Sequence, residues 1–221
     1  MDLDMTARIG GVAYGSLHDG PGQRTVLWFA GCSIRCAGCV NPHLFAPDSG
    51  RSAPLREVGH VLMEGINRRD QGVTFVGGEP FDQPQALAEL CEHVAQYWAR
   101  WPNVPRLIVY SGYTFEQLKS RRNPDVERAL NTADVLVDGP FVQKWADEDL
   151  GYRGSRNQRV IDLAATRSTG EVAMLDWDRP RIVIRRGQII SSPSISRRLG
   201  LVVTSSRHCG ELTPEPAAVS A

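Results

Sequence analysis

Cys32, Cys36 and Cys39 stand within eight residues of one another, in the spacing C-x3-C-x2-C. Soft thiolates packed this closely suit zinc, copper(I) or an iron–sulfur cluster better than they suit disulfides. A structural zinc site wants four closed ligands, and only three cysteines gather here. Of the five cysteines in the chain, Cys91 shares an apolar helix face with Leu87, Leu90, Val94 and Trp98 and reads as core. Cys209 falls in the terminal stretch and reads as a free thiol. Three thiolates on a four-iron cube leave one iron without a protein ligand, open to direct contact with a small molecule. Two plainer readings stand beside this one. His43 completes a zinc site with the three cysteines, or the loop holds a cluster that only passes electrons, a role that prefers four cysteine ligands.

The cysteines follow a strand-like run, Thr25 to Ala30 (TVLWFA), on a loop over 31–42. Further along, strands and helices alternate. Leu55, Val58, Leu62 and Ile66 have helical spacing within 55–68, and Val73 to Val76 is a short strand. Pro84 opens a second helix, Leu107 to Tyr110 is a strand, and 114–120 and 125–131 are short helices before a strand at 134–137. Such alternation predicts parallel βαβ units in an α/β fold. Four units are too few for a closed eight-fold barrel, so the expected architecture is an open partial (β/α) barrel of parallel strands. Its chemistry belongs at the carboxyl ends of those strands. After residue 158 the pattern turns to β-prone pieces at 159–163, 171–175, 181–184 and 188–190. The expected organisation is a barrel domain over 1–163, a small β-rich carboxyl-terminal extension over 164–204 and a disordered tail over 205–221.

Three further segments end strands on the same rim as the cysteine loop. Gly77, Gly78, Glu79 and Pro80 follow the second strand; glycines let main chain approach a ligand closely, and strand-end carbonyls accept from an ammonium group. As a bare motif this is equally an ordinary turn. Ser111 and Gly112 follow the third strand and Asp138 ends the fourth, where they are placed to bind a carboxylate or ribose; Asp138-Gly139 is also a turn dipeptide. Arg153, Arg156 and Asn157 lie in a polar, cationic stretch able to hold a partner's main chain, or simply to face solvent.

Lys plus Arg is 25 and Asp plus Glu is 25, so nothing in the charge points to nucleic acid. There is no apolar run of 18 residues, and the first ten residues, MDLDMTARIG, lack an apolar signal core. Neither a membrane partner nor a nucleic-acid partner is expected, and the cytoplasm is the expected compartment.

With these motifs in place the chain resembles the radical S-adenosylmethionine enzymes, and among them the activating proteins of anaerobic ribonucleotide reductase. The resemblance runs from His18 to Asp162. It is carried by HDGPGQRTVLWFAGCSIRCAGCVNP, TFVGGEP at 74–80, VYSGY at 109–113, and DVLVDGPFVQ followed by GYRGSRNQRVIDL. It implies a 4Fe-4S cluster on Cys32, Cys36 and Cys39, with S-adenosylmethionine against Gly77–Pro80, Ser111, Gly112 and Asp138. It also implies a glycyl-radical enzyme such as anaerobic ribonucleotide reductase as partner, gripped by Arg153, Arg156 and Asn157, and a low-potential donor such as flavodoxin. Two departures stand out. Val40 occupies a position where such activases often carry an aromatic residue, and the chain continues beyond the resembling region to Ala221.

Overall fold

The computed structural model describes residue 2 and residues 4–177, 182–185 and 188–191. It divides into two compact units, Met1–Asp178 and Arg179–Ala221. The expected tail over 205–221, with Cys209, lies outside the described residues.

Two strands open the first unit, β1 (Thr6–Ser16) and β2 (Arg24–Phe29). After the cysteine loop come β3 (Arg51–Pro54), α1 (Leu55–Asn67) and β4 (Gly72–Gly77). Then follow α2 (Pro84–Tyr97), β5 (Leu107–Tyr110), α3 (Phe115–Ser120), α4 (Pro124–Thr132) and β6 (Val135–Asp138). The unit ends with β7 (Arg159–Asp162), α5 (Leu163–Thr169) and β8 (Ala173–Met174). All eight strands form one mixed sheet in the order β3-β1-β2-β4-β5-β6-β7-β8. Its middle, β2-β4-β5-β6, is parallel, and both flanks are antiparallel. In the second unit β9 (Ile182–Arg185) and β10 (Gln188–Ser191) form an antiparallel pair.

The parallel strands read as near-continuous apolar runs because both of their faces are covered. Alternate residues serve different clusters. Phe75, Leu107, Val109, Leu136 and Ile161 face the main core with Leu62, Leu87, Leu90 and Val126 from the helices. Ile108, Val135, Val137 and Val160 face a smaller cluster closed by Trp177. Helix starts follow local chemistry. Thr114 and Gln117 form a capping box on α3, and the Asn123 side chain accepts from the N–H groups of Asp125 and Val126 at the start of α4.

Three elements were not foreseen. β1 carries Gly10, Gly11 and Gly15, which erase any strand signal, yet it pairs on both sides, with bulges. β3 is only four residues long. α5 lies in a stretch read as β-prone; Asp162 caps it by accepting from Ala165 N–H at 2.8 Å, and Gly170 ends it in the left-handed region at φ 77°.

The other end of the parallel strands is pinned by Arg24, a fully buried guanidinium whose hydrogen bonds go to a hydroxyl and to main-chain carbonyls. It donates to Thr74 Oγ1 (2.7 Å) and to the carbonyls of Pro105 (2.8 Å), Pro21 (3.0 Å) and Val73 (2.5 Å). Burial pushes its pKa down to about 10.

Candidate functional site

Because β2, β4, β5 and β6 run parallel and in register, their carboxyl ends share one rim. Phe29 pairs with Gly77 and Tyr110 with Val137. Loops leaving all four ends enclose a cavity of about 110 Å³. Its walls include Cys32, Cys36 and Cys39, then Gly77, Gly78 and Glu79, then Ser111 and Gly112. All three thiols are free and half-buried. The expected ligand loop and two of the expected cofactor segments therefore meet in one place.

The chemistry of this donor set fits a cluster of several irons. Among the described residues, no three His, Cys, Asp or Glu side chains converge on a single ion. A four-iron cube takes each thiolate on a different iron, so its ligands need only line a common cavity. His43 does not line that cavity; it is exposed on the turn Pro42–Leu44. Cys91 is fully buried in the core, where desolvation pushes its thiol far up. Burial also raises the Cys32 and Cys36 thiols, opposed for Cys32 by N–H groups of Arg35 and Ile34 and for Cys36 by that of Phe141. Metal binding here displaces protons.

The Gly-Gly-Glu-Pro segment extends the β2–β4 pairing past the strand ends. Gly78 N–H donates to Phe29 O at 2.7 Å, and Glu79 N–H donates to Gly31 O at 2.8 Å. The smallness of Gly78 is used against protein main chain rather than ligand: a Cβ there would lie 2.2 Å from Gly31 O. Gly77 adopts φ 110°, open only to glycine. Glu79 is buried and accepts from Ser111 Oγ (3.0 Å), Gly112 N–H (2.8 Å) and Phe81 N–H (3.0 Å). Burial pushes its pKa up to about 7, and these three donors restrain the rise. Glu79 thus bolts the end of β4 to the end of β5 while bordering the cavity.

Pro80 and Asp138 do not line the cavity. Pro80 begins a buried turn, Pro80–Asp82. Both oxygens of Asp138 are engaged beneath the rim, taking the Arg159 guanidinium in a two-pronged pair (2.9 Å at Nε) and Phe115 N–H (2.6 Å). Val40 is exposed, away from the cavity wall. In the polar stretch after Gly151, Arg153 donates to Gln158 O (3.0 Å) and Asn157 donates inward to Pro140 O (2.7 Å). Of the three residues singled out there only Arg156 is exposed, and it pairs with Asp147 at 2.9 Å.

Several wall residues were not singled out from the sequence, namely Ile34, Phe45, Val76, Tyr110 and Phe141, while Gln158, at the end of the polar stretch, lines the cavity too. Position held a signal for some of them. Val76 and Tyr110 lie at the carboxyl ends of parallel strands, and Gln158 precedes β7, whose antiparallel course starts at this rim.

Comparison with known proteins agrees with this geometry. A family model described as a 4Fe-4S single cluster domain matches residues 18–161. The anaerobic ribonucleoside-triphosphate reductase-activating protein of Salmonella typhi is 32% identical over 148 residues, covering 66% of this chain and 92% of that protein. The protein of the same name from Pasteurella multocida is 34% identical, covering 64% and 89%. The one from Enterobacteria phage T4 is 31% identical, covering 64% and 85%.

Proposed function

The chain belongs to the 4Fe-4S single cluster family that includes the anaerobic ribonucleoside-triphosphate reductase-activating proteins, and on that premise we propose that it is a radical S-adenosylmethionine enzyme that installs a glycyl radical on an anaerobic ribonucleotide reductase. One observation supports this above the rest. Three cysteines, a Gly-Gly-Glu turn and a Ser-Gly turn, brought from three strand ends, border one cavity.

When bound, the cluster and S-adenosylmethionine supply a reductive carbon–sulfur cleavage that yields methionine and a 5′-deoxyadenosyl radical, which takes hydrogen from a glycine of the partner. In this reading Cys32, Cys36 and Cys39 would hold the cluster and leave it open to the cofactor. The main chain of Gly77 and Gly78 offers acceptors to the cofactor's ammonium group. Glu79 keeps that edge rigid by holding Ser111 and Gly112. Ile34, Phe45 and Phe141 line the cavity with apolar surface, which limits water around a reactive radical. The Arg156 face is where we place contact with the partner's loop, and a flavodoxin-type protein is the donor we assign. We read the eight-stranded sheet as the wall of a partial barrel. Of the limits expected from the sequence, 1–163, 164–204 and 205–221, we draw the first boundary later, because β8 (Ala173–Met174) joins the same sheet and the first unit runs to Asp178. No helix among the described residues is long and apolar enough to cross a membrane, and the thiol chemistry favours the cytoplasm.

Anaerobic reconstitution followed by dithionite and S-adenosylmethionine tests the reading. The expected product is 5′-deoxyadenosine, lost together with the four-iron signal in Cys32→Ala, Cys36→Ala and Cys39→Ala but kept in Cys91→Ala. Full cofactor cleavage with no glycyl doublet on any co-encoded reductase would move the assignment to a radical enzyme acting on a small molecule or peptide.

A further inference from the structure

The cluster loop is tied down unevenly. At its start, Ser33 N–H donates to Asp82 Oδ2 at 2.7 Å and Ser33 Oγ donates to Asp82 Oδ1 at 2.9 Å. The Tyr113 hydroxyl lies 2.6 Å from Ser33 Oγ and 3.1 Å from Asp82 Oδ1. These three residues come from three different strand-end loops. Asp82 closes the turn after β4, Tyr113 follows Ser111-Gly112 after β5, and Ser33 is the residue next to Cys32. Arg121 locks the arrangement from behind, with its guanidinium 3.8 Å above the Tyr113 ring and Nη1 donating to Phe81 O at 3.0 Å.

The other two cysteines are held differently. Cys39 N–H donates to Cys36 O at 3.2 Å and Asn41 N–H reaches Cys39 Sγ at 3.4 Å, both within the loop itself, while Phe141 N–H reaches the Cys36 thiol from the loop after β6. No carboxylate is bonded to the residues flanking them in the described structure, whereas Ser33 gives both its donors to one. A carboxylate accepting a main-chain N–H and a hydroxyl of the same residue fixes that residue's peptide plane as well as its position. Ser33 shares its peptide bond with Cys32, so fixing one orients the other.

We propose that Asp82 is a positioning residue for the cluster, clamping Ser33 so that Cys32 is presented to the cavity in ligating geometry. This rests on the cluster assignment made above. Asp82 touches neither cluster nor cofactor in this role; it acts through Ser33, with Tyr113 orienting the shared hydroxyl hydrogens. The alternative is that Asp82 merely supports the start of α2, two residues away. That role would lower overall stability without singling out one cysteine.

Two measurements on the full-length chain separate these. In the cluster-free protein, alkylation of each cysteine by iodoacetamide is followed by mass spectrometry. Asp82→Ala should speed modification of Cys32 severalfold, the scale of a charge-assisted hydrogen bond weakened by its exposure to water, and leave Cys39 unchanged. Ser33→Ala should act in the same direction, and the double variant should fall short of the product of the singles because the two share one contact. In reconstituted protein, iron loss to a chelator should accelerate in Asp82→Ala, with an altered electron paramagnetic resonance spectrum of the reduced cluster. Equal acceleration at Cys32, Cys36 and Cys39, or a double variant equal to the product of the singles, overturns the clamp. Because the alkylation arm needs no cluster, failure of the cluster assignment shows separately, as absent iron in the unmutated protein.

Discussion

Substituting Gly78 by alanine pits one methyl group against the main chain that introduces Cys32. The added Cβ would sit 2.2 Å from Gly31 O and 2.9 Å from Gly31 C. Carbon–oxygen contacts settle at about 3.3 Å or beyond, so one partner must retreat by about 1 Å. Neither partner is a flexible side-chain tip. Gly31 is held by its N–H to Leu44 O at 2.9 Å, and its carbonyl takes Glu79 N–H at 2.8 Å. Overpacking of this kind costs about 1–3 kcal/mol, and losing the Glu79–Gly31 bond adds about 1 kcal/mol. The total of about 2–4 kcal/mol is within reach of a domain stable by about 5–15 kcal/mol, so the variant folds with its cluster loop displaced. Iron content after anaerobic reconstitution should fall well below that of the unmutated protein, and the urea midpoint should drop. Gly11→Ala is the control, since nothing lies within 4 Å of a Cβ there. The sequence reading, in which Gly78 makes room for the cofactor, expects normal iron and weakened S-adenosylmethionine binding instead. Normal iron in Gly78→Ala would refute the argument from the Gly31 contact.

Glu79 predicts a pH dependence. Its folded pKa is raised from 4.5 to about 7, so stability from its retained proton is full below pH 4.5 and is lost as pH rises through 7, by about 3 kcal/mol. Urea midpoints of cluster-free protein should fall between pH 5 and pH 8, and Glu79→Gln should flatten that slope. Arg24→Met strips donors from buried carbonyls of Pro21, Val73 and Pro105 and should cost about 3–5 kcal/mol, read from denaturant unfolding; a loss under 1 kcal/mol would show that the guanidinium does not organise this end of the sheet. Arg156→Ala breaks only an exposed pair with Asp147, so the denaturant midpoint should barely move. Cofactor cleavage should persist while the glycyl doublet on the reductase weakens; an undiminished doublet removes Arg156 from the partner surface.

Much of the rim was legible before any coordinates. Parallel strands covered on both faces must be apolar throughout, so Thr25–Ala30, Val73–Val76, Leu107–Tyr110 and 134–137 showed as strands, and βαβ alternation put their following loops at one end. The three cysteines announced themselves because close thiols need a common purpose. Gly10, Gly11 and Gly15 hid β1, since a strand assembled by pairing on both sides needs no periodic side chains of its own. The capping pair Asp162 and Gly170 was present in the sequence, but a run of β-prone pieces outweighed it and α5 was missed.

Residue type and spacing thus determined which atoms were available: three thiolates, a glycine turn, a carboxylate, a serine. Tertiary structure decided what each one does, because a hydrogen-bonding group acts through whichever partner the fold brings within about 3 Å. Glu79 was placed beside Ser111 and Gly112 and became a bolt between two strands, Asp138 met Arg159 and turned away from the cavity, and the main chain of Gly31 took the space that Gly78 leaves open. Asp82, Ser33 and Tyr113 lie 31 and 49 positions apart along the chain, a separation that no local pattern encodes and that the parallel register of three strand ends brings together.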